Sequence, residues 1–252
     1  MFENQYINLF TTHLAWTLGS RGVPMVMATN LLQQGPLDAS LGDMHVGLED
    51  RVYFIEFKSE DTTGKYGGAL QAEFNKGTAG TDIRSHMRSR LRQIWDLASL
   101  GNAAAVALRD VARRGWWFAT GERPTGGSPN LDFISYEKTL FPPSAMGLGV
   151  LPFFANVHNF VDQMLQSPPS IGITKSEAID LLNALFAALP VKAQWRLWTS
   201  FWWLLCRPTD QRGPSEQRYG ASTQSRTTSP QPTFLSEGHS VRKCISLPVR
   251  FY

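Results

Sequence analysis

The stretch DMHVGLEDRVYFIEFK, Asp43–Lys58, constrains the fold more than any other part of the chain. Two runs with alternating apolar residues flank Glu49-Asp50, the pattern of a β-hairpin. On a strand, residues i and i+2 share a face. With Glu49 and Asp50 as the turn, Leu48 pairs with Arg51 and Asp43 lies opposite Glu56. One face is then apolar, with Met44, Val46, Leu48, Tyr53, Ile55 and Phe57. The other collects Asp43, His45, Glu56 and Lys58. Directly opposed residues carry Cβ atoms about 4.5–5.5 Å apart. Two carboxylates that close repel each other unless a positive charge sits between them. A divalent cation supplies that charge, and Mg²⁺ typically takes one or two protein carboxylates while keeping several waters. Lys58, on the same face, can orient an attacking hydroxide or steady a phosphate. The set suits hydrolysis of a phosphodiester. A plain solvated strand face is the alternative.

The rest of the chain frames this hairpin. Ile7, Phe10, Leu14 and Leu18 recur near helical spacing, and Gly19 and Gly22 follow, so a helix is expected from Glu3 to Leu18. PMVMATN reads as a strand, and QAEFN is ambiguous. A helix is expected from Asp82 to Leu100, stopped by Gly101. AAAVALR and GWWFAT read as two further strands. LPFFANVHNFVDQML reads as strand or loop entering a helix. SEAIDLLNALFAAL and VKAQWRLWTSFWWLLC read as two helices separated by Pro190. This order of elements indicates an α/β or α+β core.

On the helix from Asp82, Arg84, Arg88 and Arg92 recur at i, i+4 and i+8. They are expected to form one basic face able to follow a phosphate backbone, with a solvated helix face as the alternative. The body of the chain is otherwise almost neutral. Residues 207–252 hold seven basic and three acidic side chains, leaving 17 basic and 18 acidic in residues 1–206. The basic excess therefore lies in a Ser-, Thr-, Pro- and Gln-rich tail with no sustained apolar period, which is expected to be flexible. The two cysteines, Cys206 and Cys244, belong to no CxxC or Cys/His cluster, so neither zinc nor a disulfide framework is indicated. No basic region followed by an apolar core opens the chain. The expected setting is reducing and cytoplasmic. The Trp-rich stretch from Val191 to Cys206 is too short and too charged to span a bilayer. It suits internal packing, a partner contact or a membrane interface.

Asp43 followed thirteen residues later by Glu56-Phe57-Lys58 resembles the D…ExK signature of the PD-(D/E)xK nuclease superfamily. Within it, GDMHVGLEDRVYFIEFK is most similar to the Holliday junction resolvase and VRR-NUC pattern, an acidic residue opening a hairpin that ends in ExK. The resemblance covers roughly residues 1–120. It implies a restriction-endonuclease-like α/β core, a mixed central sheet flanked by helices, over residues 1–160. A helical C-terminal addition over 161–206 and the tail over 207–252 complete the expected organisation. It also implies a metal-dependent DNA endonuclease using Mg²⁺ or Mn²⁺. Asp43, Glu56 and the Phe57 carbonyl would hold the metal, Lys58 would assist the water, and Glu3 would complete the shell. By the same resemblance Gln93 joins Arg84, Arg88 and Arg92 as a candidate nucleic-acid contact. Gly42 stands where the family has proline, Leu97 stands where it has tyrosine, and Asp38, in Pro36-Leu37-Asp38, is a second candidate for the metal-binding aspartate. DNA is the implied partner, with a homodimer or a larger DNA-processing complex as the assembly. A catalytically silent binding module of the same fold is one rival reading. A scaffold organised by Trp198, Trp202 and Trp203 is the other.

Overall fold

The computed structural model describes residues 3–22, 27–31, 42–48, 50–59, 66–77, 82–122, 130–141, 153–187 and 189. Asp38, the Trp-rich stretch and the tail lie outside the described residues. All described residues belong to the unit Met1–Leu205.

Helix α1 spans Glu3–Ser20, and strands β1 (Met27–Leu31), β2 (Met44–Leu48) and β3 (Arg51–Lys58) follow. Three helices come next: α2 (Tyr66–Asn75), α3 (Ile83–Ser99) and α4 (Ala103–Gly115). Strands β4 (Trp116–Glu122) and β5 (Asn130–Ser135) lead into a 3₁₀ turn at Tyr136–Leu140. The last described elements are β6 (Phe153–Phe154), α5 (Val157–Met164), β7 (Ile173–Thr174) and α6 (Lys175–Phe186). The strands form one mixed sheet in the order β1-β2-β3-β4-β5-β6, and β7 pairs with β3. β3 and β4 are parallel, and the other described pairs are antiparallel. The protein is therefore α/β with a mixed central sheet.

The hairpin has the register expected from its alternation. Leu48 faces Arg51, Val46 faces Tyr53 and Met44 faces Ile55. Each face of the sheet carries its own core. Tyr53, Ile55, Phe57, Trp117 and Phe133 pack with Tyr6, Phe10 and Leu14 of α1 and Phe160 of α5. Val52, Phe54, Trp116, Phe118 and Ile134 pack on the opposite face with Met87 and Leu91 of α3 and Leu181 and Leu185 of α6. Both tryptophans of the Trp116-Trp117 pair are consequently buried, one on each side. A strand covered on both faces has no solvated side, so the plain alternative for Glu56 does not hold.

The expected strand over Ala103–Arg109 is a correction, because this segment is the first half of α4. Asn102 caps the helix, its side chain accepting from Ala105 N at 3.0 Å. Alanine is the best helix former, and an Asn cap satisfies an N–H that the first turn leaves open. α3 begins in the same way, with Asp82 accepting from Ser85 N at 2.9 Å. The ambiguous QAEFN belongs to α2.

Candidate functional site

The site lies at the open end of the β2–β3 hairpin. Gly42 determines how the chain enters it. Its φ of 110° is closed to proline, whose ring holds φ near −65°. A Cβ there would sit 2.8 Å from the Ile55 carbonyl oxygen. The bare glycine lets the backbone pass close to β3, and Asp43 then turns back onto it. Phe57 N donates to Asp43 Oδ2 at 2.6 Å, which locks the carboxylate against the strand that carries Glu56 and Lys58.

Lys58 Nζ is the centre of the constellation. It lies 2.6 Å from Glu56 Oε1, 3.3 Å from Glu3 Oε1 and 3.5 Å from Asp43 Oδ2. It also donates to the Phe57 carbonyl at 2.8 Å. The structure thus brings together Glu3, Asp43, Glu56, Phe57 and Lys58 around one ammonium group. Burial favours the neutral amine, yet Asp43, Glu3 and Glu73 outweigh it and hold the Lys58 pKa above its ordinary value. At neutral pH Lys58 is a cation, so it acts as a charge and a donor rather than as a base.

Glu56 is fully buried. Its Oε1 receives Lys58 and also Arg84, while its Oε2 has no hydrogen-bond partner among the described residues. Beyond it stands Glu73 of α2, equally enclosed. Glu73 accepts from Lys76 Nζ at 2.6 Å and from Arg88 at 3.2 Å, and its Oε1 lies 3.6 Å from Arg84 Nε. Four carboxylates, Glu3, Asp43, Glu56 and Glu73, therefore face four cations, Lys58, Lys76, Arg84 and Arg88.

The three arginines of α3 do not form one exposed basic stripe. Arg88 is 2% exposed. Its donors are taken by Glu73, the Gly77 carbonyl, Tyr136 Oη and both oxygens of Thr139. Arg84 turns inward to Glu56. Arg92 is half-exposed, donates to the Leu140 carbonyl at 2.9 Å and lies over the Phe141 ring. Gln93 is exposed and accepts from Arg90 at 2.7 Å. The reason is geometric: α3 lies against the sheet, so the face that carries Arg84 and Arg88 is its inner face at that end. His45 shares the buried side of the sheet and sets its ring edge-on against Phe54 at 5.1 Å. Burial pushes its pKa down to about 3.

Two residues escaped the sequence reading. Glu73 sits in the segment that was ambiguous between helix and strand. Thr120 of β4 is in register with Lys58, is buried, and its hydroxyl has no hydrogen-bond partner among the described residues. Neighbours in register share a face, so Thr120 borders the site. Nothing local marks it, because β3 and β4 meet only through a crossover of three helices.

The donor set can be tested against Mg²⁺. Among the described residues no three His, Cys, Asp or Glu side chains are grouped as a ready metal cage. Mg²⁺ does not ask for one: it takes one or two carboxylates and retains water. Asp43, Glu56 and the Phe57 carbonyl already converge on one cation, and the bare Oε2 of Glu56 is a buried acceptor with capacity left. These residues fit a hard divalent ion. No helix among the described residues is long and apolar enough to cross a membrane. No family model, no curated protein and no solved structure matches the chain.

Proposed function

We propose that the chain is a metal-dependent DNA nuclease of the PD-(D/E)xK type, with a restriction-endonuclease-like core. One observation carries the reading: Glu3, Asp43, Glu56 and the Phe57 carbonyl direct their oxygens at a single half-buried cationic position, Lys58 Nζ, where the hairpin opens. Asp43, Glu56 and the Phe57 carbonyl would hold Mg²⁺ or Mn²⁺, and Glu3 would complete the shell through water. Such an ion supplies a bound water of lowered pKa and neutralises charge at the phosphorus. Asp43 is kept in place by Phe57 N, so it needs little reorganisation. Lys58, held protonated by its carboxylates, gives its charge to the phosphoryl oxygens or orients the attacking oxygen. Arg92 and Gln93 are the members of the expected DNA-contacting set whose side chains reach the surface. Cutting both strands calls for two such sites, which favours a homodimer or a larger DNA-processing complex in a reducing, cytoplasmic setting.

A second reading has its own support. Lys58 and Arg84 already neutralise Glu56, as they would in a silent DNA- or protein-binding module of the same fold. Cleavage of supercoiled, linear and branched DNA with Mg²⁺, Mn²⁺ or EDTA separates the two. Metal-dependent cutting that is lost in Lys58→Ala and Glu56→Ala supports the nuclease. No cutting by folded protein, with no metal bound in calorimetry, supports the silent module.

A further inference from the structure

Glu56 is loaded unevenly. Lys58 and Arg84 both approach Oε1, and the equally buried Oε2 has no hydrogen-bond partner among the described residues. A buried charged oxygen is costly unless something satisfies it, so Oε2 is the atom that gains most from a new cation. A divalent ion there would bring the positive charge facing one carboxylate to four, more than the three single charges that Lys76, Arg84 and Arg88 place around Glu73. Like charges at that range repel, and one of the two resident cations has to yield.

The two residents are held differently. Lys58 is anchored by Glu3, Asp43 and the Phe57 carbonyl as well as by Glu56, so it cannot swing away from Glu56 without giving up those partners too. Arg84 has two carboxylates in range among the described residues, Glu56 and Glu73. Glu73 is a prepared second seat. Arg88, Lys76 and Tyr136 fix its position, and its Oε1 is already 3.6 Å from Arg84 Nε. A small rotation of one guanidinium exchanges the partner without opening the core.

We propose that Arg84 is an exchangeable internal counter-ion: a divalent cation that binds Glu56 displaces Arg84, which then rests on Glu73. This rests on the reading of Asp43 and Glu56 as a metal site. It explains why a carboxylate meant for a metal can be buried in the metal-free fold, since Arg84 and Lys58 neutralise it until the ion arrives. Metal affinity and the charge at position 84 are then antagonistic. This is the reverse of what holds if Arg84 merely orients Glu56 for the ion.

The experiment is calorimetric titration of Mn²⁺ into the full chain, with thermal unfolding in the presence and absence of Mn²⁺ as a second readout. Arg84→Gln removes the charge and keeps a donor for Glu56. Arg84→Lys keeps the charge and checks that substitution alone is not the cause. The expected result is Mn²⁺ binding roughly tenfold tighter in Arg84→Gln than in wild type, with Arg84→Lys close to wild type. The unfolding temperature of Arg84→Gln should also rise more on adding Mn²⁺ than that of wild type. Wild-type binding with equal or weaker affinity in Arg84→Gln overturns the exchange and leaves the metal site standing. No Mn²⁺ binding by wild type or by either variant overturns the metal site and the exchange together.

Discussion

The two faces of the central sheet are built on different principles. The face under α1 and α5 is apolar and aromatic: Phe10 meets Phe57, Phe133 and Phe160, and Phe133 stacks on Phe160 with ring centroids 4.0 Å apart. The face under α3 and α6 is apolar over most of its width, but its end near α2 encloses Glu56, Glu73 and Arg88. Both faces exclude water. Only the first gains free energy simply by doing so, because desolvating charges is unfavourable unless each finds a partner. The comparison teaches that the aromatic side is stabilised by burial itself, whereas the charged end is tolerated only because its carboxylates and cations pair with one another.

That contrast can be broken from either side. Phe160→Ala on the aromatic face should lower the unfolding free energy by about 3–5 kcal/mol, read by urea denaturation, and leave metal affinity per folded molecule unchanged. Arg88→Ala on the other face should cost a similar 3–5 kcal/mol or so, because it leaves Glu73 buried with less compensation. The double replacement Arg88→Met with Glu73→Leu should recover most of that loss. If it does not, the pair contributes net stability and the contrast between the faces weakens.

Activity sharpens the comparison next. Lys58→Ala and Glu56→Gln should each reduce metal-dependent DNA cleavage by roughly 10²–10³-fold in single-turnover assays, whereas Phe160→Ala, assayed where it is folded, should change it little.

Per pH unit, a smaller effect comes from His45. His45 is neutral in the folded protein down to about pH 3, while the unfolded imidazole titrates near its ordinary value of 6.5. Above that value neither state holds the proton and stability is complete. Below it the unfolded state takes up a proton that the folded state refuses, so stability falls as pH drops from 6.5 toward about 3. The slope from this one group approaches about 1.4 kcal/mol per pH unit. Denaturation midpoints measured across that range should show it, and His45→Phe should flatten the profile. The smallest expected change is Thr120→Val, within about 1 kcal/mol of wild type in stability, since it removes a buried hydroxyl with no partner among the described residues. A several-fold rise in the KM for DNA would mark that hydroxyl as part of the site.

What the sequence determined by itself is local. The Asp43–Lys58 alternation and its two-residue turn specify the hairpin register, because a slip of one residue would move every apolar side chain to the other face. That register already places Asp43 opposite Glu56 and Lys58 beside them, and helical spacing places Glu3 at the start of α1. Local pattern failed where two structures fit the same residues: AAAVALR has no strong period, and the Asn102 cap decides for helix. Only the tertiary structure decided the rest. Helical spacing aligns Arg84, Arg88 and Arg92 but is silent on which side of α3 meets the sheet, and packing sends Arg88 inward to Glu73. Thr120 meets Lys58 through a parallel pairing that α2, α3 and α4 separate in the chain. Contacts of that kind depend on how whole layers stack, and no short window of residues encodes them.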